Sequence, residues 1–314
     1  MDNLSEILSV TKVKSSLYFR TAFTAPWGVT VPSFNHVARF HYVSKGQCWV
    51  RVDGESDPQC LEQGDLVVVP LGRAHTLSDT PDRKPTALDR LVEEAKYEGD
   101  GCLVYGGPET QAPTALICGH FEYADEILNP LLRQLPPAIV LRRTLIGDVE
   151  WLDEGLLFLS KEIDGDRPGR DALVQRISEI LLIQVLRQYL EHAPEGSTPV
   201  SALRDPRLAR ALEVMHHRPE DRWTVASLAA EAGMSRTAFA GRFQQLMGLA
   251  PLEYLTDWRL RKATKLLRET GSPVRVIAYQ CGYESEAAFA RAFKKRFGVS
   301  PGEYRRTHLP AQQH

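Results

Sequence analysis

The sequence predicts two domains: an N-terminal β-barrel or jelly roll followed by helices, and a C-terminal all-α domain with two helix-turn-helix motifs. Three observations predict this division. Short runs rich in Val, Tyr, Phe and Trp, separated by Gly, Pro and Asp, follow one another from about residue 16 to residue 119. One helical pattern occurs twice between Asp221 and Arg306. The chain of 314 residues is long enough for two cores, and its charge is unevenly distributed.

The charge separates a basic C-terminal part from an acidic N-terminal part. From Arg204 onward there are 19 Lys and Arg against 11 Asp and Glu, a net charge of +8. The preceding residues carry 19 basic and 29 acidic side chains, a net charge of −10. A positive domain suits a polyanion such as DNA, and an acidic one does not. We therefore expect the DNA-binding surface in the last third of the chain.

The β-like part of the chain follows a short amphipathic helix, LSEILSVTKV, and a first strand, SLYFRTAF. Alternating runs such as HVARFHYVS, QCWVRVDG and GDLVVVPLG then recur at the spacing typical of a small barrel or jelly roll. Within this part, Gly64, Pro70, Gly72, His75 and Asp79 follow the spacing G-x5-P-x-G-x2-H-x3-D. The glycines and the proline shape a strand-turn-strand corner that directs His75 inward.

This spacing resembles the second motif of the cupins, except that Asp replaces the usual Asn at the last position. The resemblance implies that His75 is one of four metal ligands, the others coming from an H-x-H and from a Glu seven residues before a glycine. Gly46 is that glycine by context, but Arg39 occupies the Glu position and no H-x-H occurs, although His36 and His41 lie nearby. Three interpretations stay open for His75: a pocket residue, part of an altered metal site with His36 or His41, or core.

Cys118 and His120 alternate on the last predicted strand and should share one face. A thiol beside an imidazole can bind a soft metal or become more acidic, although a buried cysteine is also a common packing residue. The five cysteines are odd in number and form no CxxC pair, so we expect neither a disulfide framework nor a structural zinc site. The predicted effector pocket consists of His36, His41, His75, Cys118 and His120.

The helices after the barrel include RDALVQRISEILLIQVLRQYLEH, which is apolar around much of its circumference. Such a helix must be covered on more than one side, either within the chain or by a second subunit in a homodimer. One side of this helix is predicted to carry Leu173, Ile177, Ile180, Leu181, Gln184 and Val185. The sequence divides into residues 1–193 (sensing and dimerisation), a linker at 194–203 rich in Pro, Gly and Ser, and residues 204–314 (DNA binding).

The repeated pattern reads LAAEAGMSRTAFAGRFQQLMGLAPLEY in the first copy and IAYQCGYESEAAFARAFKKRFGVSPGEY in the second. Each copy has a short apolar helix, a tight turn and a second helix with Phe at i and i+4, as in a helix-turn-helix. Gly233 and Gly282 stand where a left-handed residue is needed, and Ser235 and Ser285 can cap the next helix. The predicted motifs span 225–246 and 274–297, joined by a helix at 251–269.

The second helix of each motif should bury its Phe stripe and present the opposite face to DNA. A joining helix of about 19 residues spans roughly 28 Å and can hold the two reading helices about one DNA turn apart. Arg291 is the predicted guanine reader, while the three cations after it are predicted to contact phosphates or solvent. The candidate DNA-binding residues are Arg236, Thr237, Ala240, Arg242, Gln244, Arg291, Lys294, Lys295 and Arg296.

The run RLRKATKLLRET, followed by VRVIAYQCGYESEAAFARAFKKRFGVSPGEYR, resembles the C-terminal domain of AraC/XylS-type bacterial transcription regulators over about 100 residues. The cupin-like segment and the order strand, Cys-Gly, aromatic, PLLRQLP extend the resemblance over most of the chain. The resemblance implies a seven-helix DNA-binding unit with motifs in successive major grooves. It also implies promoter or operator DNA, RNA polymerase, an effector and a second subunit as partners.

We therefore expect a cytoplasmic, non-enzymatic transcription regulator whose N-terminal domain senses a small molecule, a metal or an oxidant. The one cofactor left open is a metal ion in the barrel. No apolar run approaches the roughly 20 residues of a membrane span, and the N-terminus lacks a signal-peptide core. Two alternatives remain: a cupin metalloenzyme such as a dioxygenase or isomerase, which Arg39 argues against, and a regulator switched by cysteine oxidation.

Overall fold

The computed structural model describes residues 3–10, 13–34, 37–99, 101–108, 112–123, 130–143, 154–155, 158, 162, 167–192 and 199–308. These residues form two compact units. The sandwich unit lies within Lys12–Leu128 and Leu135–Ala193, and the helical unit lies within Met1–Thr11, Asn129–Gln134 and Pro194–His314. No helix among the described residues is long and apolar enough to cross a membrane.

The sandwich unit contains a sheet of six strands, in the order β11-β6-β3-β10-β1-β9, and a sheet of five, in the order β5-β4-β7-β2-β8. Side chains of both sheets share one core, for example Val43 and Leu116 from the first and Val50 and Leu77 from the second. The described strands therefore form a jelly-roll-like sandwich and not a closed barrel. The strands are β1 Val13–Thr24, β2 Gly28–Val31, β3 Val37–Lys45, β4 Gln47–Val52, β5 Gln59–Glu62, β6 Leu66–Val69, β7 His75–Ser78, β8 Thr86–Ala87, β9 Cys102–Gly106, β10 Thr114–Tyr123 and β11 Ile139–Leu141.

Two helices belong to the sandwich unit: α2 (Leu88–Glu94) and α4 (Arg170–His192). Helix α4 packs on β1 and β11 through a stripe that includes Leu181 and Val185. Leu173 and Ile180, predicted on the same side as Leu181, are instead 37% and 48% exposed. The helix thus has two apolar faces, because residues one position apart point about 100° away from each other. Most of WLDEGLLFLSKEI lies outside the described residues.

The helical unit includes two segments that the sequence placed elsewhere. Ile7, on the N-terminal helix α1, is 1% exposed and packs in one core with Ala202 and Leu208. The part of the predicted linker from Pro199 onward is helical, because Ala202 gains burial there. The helices are α1 Asn3–Val10, α3 Pro130–Arg133, α5 Pro199–Arg204, α6 Pro206–His217, α7 Val225–Glu231, α8 Arg236–Met247, α9 Pro251–Glu269, α10 Val274–Gln280, α11 Glu286–Phe297 and α12 Pro301–His308.

Helix α9 joins two successive cores, as its predicted bounds of 251–269 suggested. Its first half sends Trp258 into the core of the first motif, and its second half sends Leu267 into the core of the second. Cys281, just after α10, is fully buried in the second core. One continuous helix therefore contributes to the cores of both motifs.

Candidate functional site

Both motifs turn at a glycine in the left-handed region, as predicted. Gly233 has φ 62° and Gly282 has φ 77°. The hydroxyls of Ser235 and Ser285 accept hydrogen bonds from the backbone amides three residues on, at 3.3 and 3.2 Å. Because each hydroxyl pairs an amide that the helix leaves unsatisfied, α8 and α11 begin at equivalent residues of the repeat.

The two turns differ in what surrounds their glycines. A Cβ on Gly282 would lie 2.8 Å from the Pro219 carbonyl oxygen and 2.9 Å from the Arg259 guanidinium, whereas one on Gly233 would meet nothing within 4 Å. Arg259 itself donates from Nε to the Pro219 carbonyl at 2.6 Å and from Nη2 to the Asp221 carbonyl at 2.8 Å. The second turn is therefore packed against a cation of α9, and the first is open.

The outward faces of α8 and α11 are chemically different. Phe239, Phe243, Phe289 and Phe293 are fully buried, which turns the opposite faces outward. The exposed face of α8 carries fewer charges than that of α11, since Gly241, Gln244 and Gln245 stand where the second copy has Arg291, Lys294 and Lys295. Of the predicted contacts, Arg236, Thr237, Gln244, Arg291, Lys294 and Lys295 are exposed and Ala240 is half-buried.

Two residues that are predicted to contact DNA form ion pairs within the helical unit. The guanidinium of Arg242 lies 3.5 Å from the carboxylate of Asp205, the N-cap of α6. Arg296 donates from Nε to Asp257 Oδ1 at 2.7 Å, and the same carboxylate accepts from the buried Arg261 at 2.6 Å. These pairs tie α8 to α6 and α11 to α9, and the contact of Arg242 and Arg296 with DNA stays a prediction.

Three predicted effector residues form one hydrogen-bonded chain inside the sandwich. His41 Nε2 lies 2.8 Å from His75 Nε2, and His41 Nδ1 lies 3.1 Å from Cys118 Sγ. His75 Nδ1 lies 2.9 Å from the Arg73 carbonyl oxygen and must donate to it, because a carbonyl only accepts. With neutral rings, His41 then donates from Nε2 to His75, and the thiol donates to His41. The chain joins β3 and β10 of one sheet to β7 of the other.

The electrostatics of the chain favour these neutral forms. Burial, reinforced by His75 and by the Arg39 guanidinium, holds the pKa of His41 well below its ordinary value. Burial likewise lowers the pKa of His75 to about 4 and raises the pKa of the Cys118 thiol to about 12. At neutral pH the site therefore contains a thiol and two uncharged imidazoles, so it lacks the thiolate that reacts with oxidants.

The same geometry does not fit a resident metal ion. His41 uses its two ring nitrogens in opposite directions, so Cys118 and His75 cannot converge with it on one point. Among the residues that the structure describes, no group of three or more His, Cys, Asp and Glu could hold a metal. Arg39, at the position of the cupin carboxylate, is 5% exposed and adds a positive charge. His36 lies outside the described residues.

A cavity of about 200 Å³ adjoins the chain within the sandwich unit. His41 and Cys118 line it together with Arg39 and Phe34. His120 is half-buried opposite Arg39 on β10 and does not line it, although it shares a strand face with Cys118 as predicted. The sequence pointed to Arg39 only as an obstacle to a metal. The place of Arg39 in the cavity wall beside His41 follows from strand alternation, since residues 39 and 41 of one strand point to the same side.

Comparisons with known proteins match both units. A family model described as Cupin matches residues 2–191, and one described as Helix-turn-helix domain matches residues 228–307. The chain is 33% identical over 313 residues to a putative AraC-like transcription regulator of Streptomyces antibioticus, covering 99% of this chain and 100% of that relative. It is 31% identical over 307 residues to the HTH-type transcriptional regulator AlkR of Acinetobacter baylyi, with 97% and 99% covered. The solved DNA-binding domain of AdpA, in complex with a target DNA, shares 36% identity over 33% of this chain and 92% of that chain, with a TM-score of 0.31.

Proposed function

Because the chain belongs to the AraC-like transcription regulators, with a Cupin domain and a helix-turn-helix domain, we propose that it reads promoter or operator DNA through α8 and α11 in response to a signal received by the sandwich unit. The observation that carries the proposal is the repeated motif, in which two reading helices of 12 residues each are mounted on one helix of 19. The second macromolecular partner in this proposal is RNA polymerase. The regulator itself acts in the cytoplasm.

The two proposed recognition helices, α8 and α11, contribute unequally to DNA recognition. On α11, Arg291 is long enough to donate both arms of its fork to a guanine edge, and Lys294 and Lys295 supply phosphate contacts. On α8, Thr237 and Ala240 offer methyl groups, with Arg236 and Gln244 as polar contacts at the ends of the face. The second motif therefore contributes most of the base-specific energy, and the first relies more on DNA shape.

The test of the reading assignment compares two cations of one helix. Arg291→Ala should relax the preferred base at one position of the selected binding site and cost about 1 to 3 kcal/mol in affinity for the parent's site. Lys294→Ala should weaken binding to all sequences alike and reduce the slope of log affinity against log salt by about one. Site selection from a random library and salt titrations measure both. An unchanged site preference with Arg291→Ala would refute the assignment.

The signal-receiving role of the sandwich unit is supported by the chain from Cys118 through His41 to His75, because it links strands of the two sheets beside a cavity. A ligand that displaces one member changes the contact between the sheets, and it shifts the protein's state if it binds one arrangement better. We include no enzymatic step in this proposal, because the relatives that match the chain over its length are transcription regulators.

The test separates hydrogen bonding from thiol chemistry. Cys118→Ser keeps a donor toward His41, Cys118→Ala removes it, and His75→Ala breaks the chain at its other end. We expect inducer-dependent transcription to survive in the serine variant and to fail in the two alanine variants, while operator binding in vitro is retained in all three. Cys48→Ser, at a buried cysteine of the same core, is the matched control. Loss of response in both Cys118 variants, with the response retained in His75→Ala, would favour the cysteine-oxidation alternative.

We further propose that α4 forms a homodimer contact. Leu173 and Ile180 lie two turns apart on its exposed side, with the partly exposed Ile177 between them. Covering such a face removes apolar area from water on both subunits. Ile180→Glu should shift the protein to monomers in analytical ultracentrifugation, while Arg90→Glu, an equally drastic change at an exposed cation of α2, should not. A mass unchanged by Ile180→Glu would place any dimer contact elsewhere.

A further inference from the structure

We propose that the cavity of the sandwich unit binds a small carboxylate with one negative charge and an apolar body. The inference rests on the proposed signal-receiving function and specifies its ligand. It follows from three properties of the described lining residues: the chemistry of the walls, the charge at one side and the volume.

The walls require an apolar body. Phe23, Val29, Leu77 and Leu116 are each no more than 3% exposed and line the cavity. A polar group placed against them would lose its hydrogen bonds to water without replacement, which costs several kcal/mol in an apolar site. The Thr21 hydroxyl, also in the lining, already accepts from the Leu116 amide at 3.2 Å. The few polar groups present cannot satisfy a polyhydroxylated ligand such as a sugar.

One side of the cavity carries a positive charge. Arg39 lines it and is 5% exposed, and its guanidinium lies 4.3 Å from the centre of the Phe34 ring. Of the lining residues described, none is an Asp or Glu, and the thiol and imidazole beside Arg39 are neutral. The positive field of Arg39 also lowers the pKa of His41 and of His120. A planar guanidinium matches a carboxylate with two parallel hydrogen bonds.

The volume limits the body of the ligand. A protein cavity of about 150 Å³ holds one benzene molecule, so about 200 Å³ accommodates roughly six to nine non-hydrogen atoms. Hexanoate and benzoate fall in this range, and dodecanoate does not. Phe34, which is 46% exposed and stacked on Arg39, stands where such a ligand would enter.

The experiment measures binding to the full-length protein by calorimetry and by the shift in Tm, using matched pairs of probes. Hexanoate and benzoate are compared with hexanamide and benzamide, which have the same shape without the charge. We expect each carboxylate to bind roughly 10- to 100-fold more tightly than its amide, as hydrogen bonds to charged groups imply. Dodecanoate should show no binding.

The role of Arg39 is tested by Arg39→Met, which removes the charge but keeps much of the volume. The variant should lose the preference for carboxylate over amide, and its ligand-free Tm checks that it folds, since removing a single buried charge can be destabilising. Arg39→Lys keeps the charge without the planar fork and should show an intermediate preference, so a folded charged variant is available in either case. Arg51→Met, at an exposed arginine of β4, is the control and should bind as the parent does.

The outcomes separate this inference from the function on which it rests. Equal binding of carboxylate and amide, a carboxylate preference that survives Arg39→Met, or no binding by any probe would overturn it. Tight binding of hexanoate or benzoate with no effect on operator affinity or transcription would support the carboxylate site and refute the signal-receiving role of the unit.

Discussion

Gly233→Ala and Gly282→Ala apply one change to equivalent positions of the two motifs, which makes each the control for the other. Both glycines have positive φ, 62° and 77°, so both variants place a Cβ in the left-handed region. That conformation costs an alanine about 1 to 2 kcal/mol. Part of this is offset, by about 0.4 to 1 kcal/mol, because alanine also reduces the entropy of the unfolded chain. The net loss at Gly233, where the Cβ meets open space, is therefore about 1 kcal/mol.

At Gly282 the surroundings add a second penalty. The new Cβ would lie 2.8 Å from the Pro219 carbonyl oxygen, so either the backbone of that turn or Arg259 has to move. Arg259 holds two carbonyls at 2.6 and 2.8 Å, and a hydrogen bond to a charged group contributes about 1.5 to 3 kcal/mol. Losing one of them brings the total for Gly282→Ala to about 3 kcal/mol.

Hydrogen exchange followed by mass spectrometry resolves the two motifs, because each yields its own peptides. Where exchange proceeds through local opening, about 1 kcal/mol corresponds to roughly fivefold faster exchange and about 3 kcal/mol to more than 100-fold. We expect the larger effect in the peptides of α10 and α11 with Gly282→Ala, together with weaker operator binding. Equal acceleration by the two variants would refute the assignment of a packed second turn.

Three further predictions concern pH, the N-terminal helix and the basic end of α11. The pKa of His75 is about 4 in the folded protein and about 6.5 when unfolded. The stability that this difference contributes is therefore full above pH 6.5 and falls as the pH drops toward 4. Urea unfolding should show a free energy of unfolding about 2 kcal/mol lower at pH 5 than at pH 7, and a smaller decrease in His75→Gln. Ile7→Ala should destabilise the helical unit by about 2 to 5 kcal/mol, seen as a lower Tm for loss of operator binding, and an unchanged Tm would contradict its burial there. Arg296→Ala should lower the stability of the second motif by breaking its pair with Asp257, whereas Lys295→Ala should leave stability unchanged and reduce the salt dependence of DNA binding.

Short-range patterns in the sequence determined most of the helical unit. The bounds of α9, the capping by Ser235 and Ser285, and the left-handed glycines depend on residues within about one turn of one another, and the structure has them as predicted. The alternation that placed Cys118 and His120 on one face of β10 is equally local. These features follow from helix and strand periods that any chain with this pattern obeys.

Only the tertiary structure decided which distant groups meet. The chain of Cys118, His41 and His75 joins residues 77 and 34 positions apart, and no local pattern encodes the strand order that brings them together. The ion pair of Arg296 with Asp257, 39 positions away, is equally long-range and ties α11 to α9. Burial of Ile7 in the helical unit depends on a core nearly 200 residues away in the chain. In each case the free energy comes from removing a side chain from water against partners that only the folded backbone supplies.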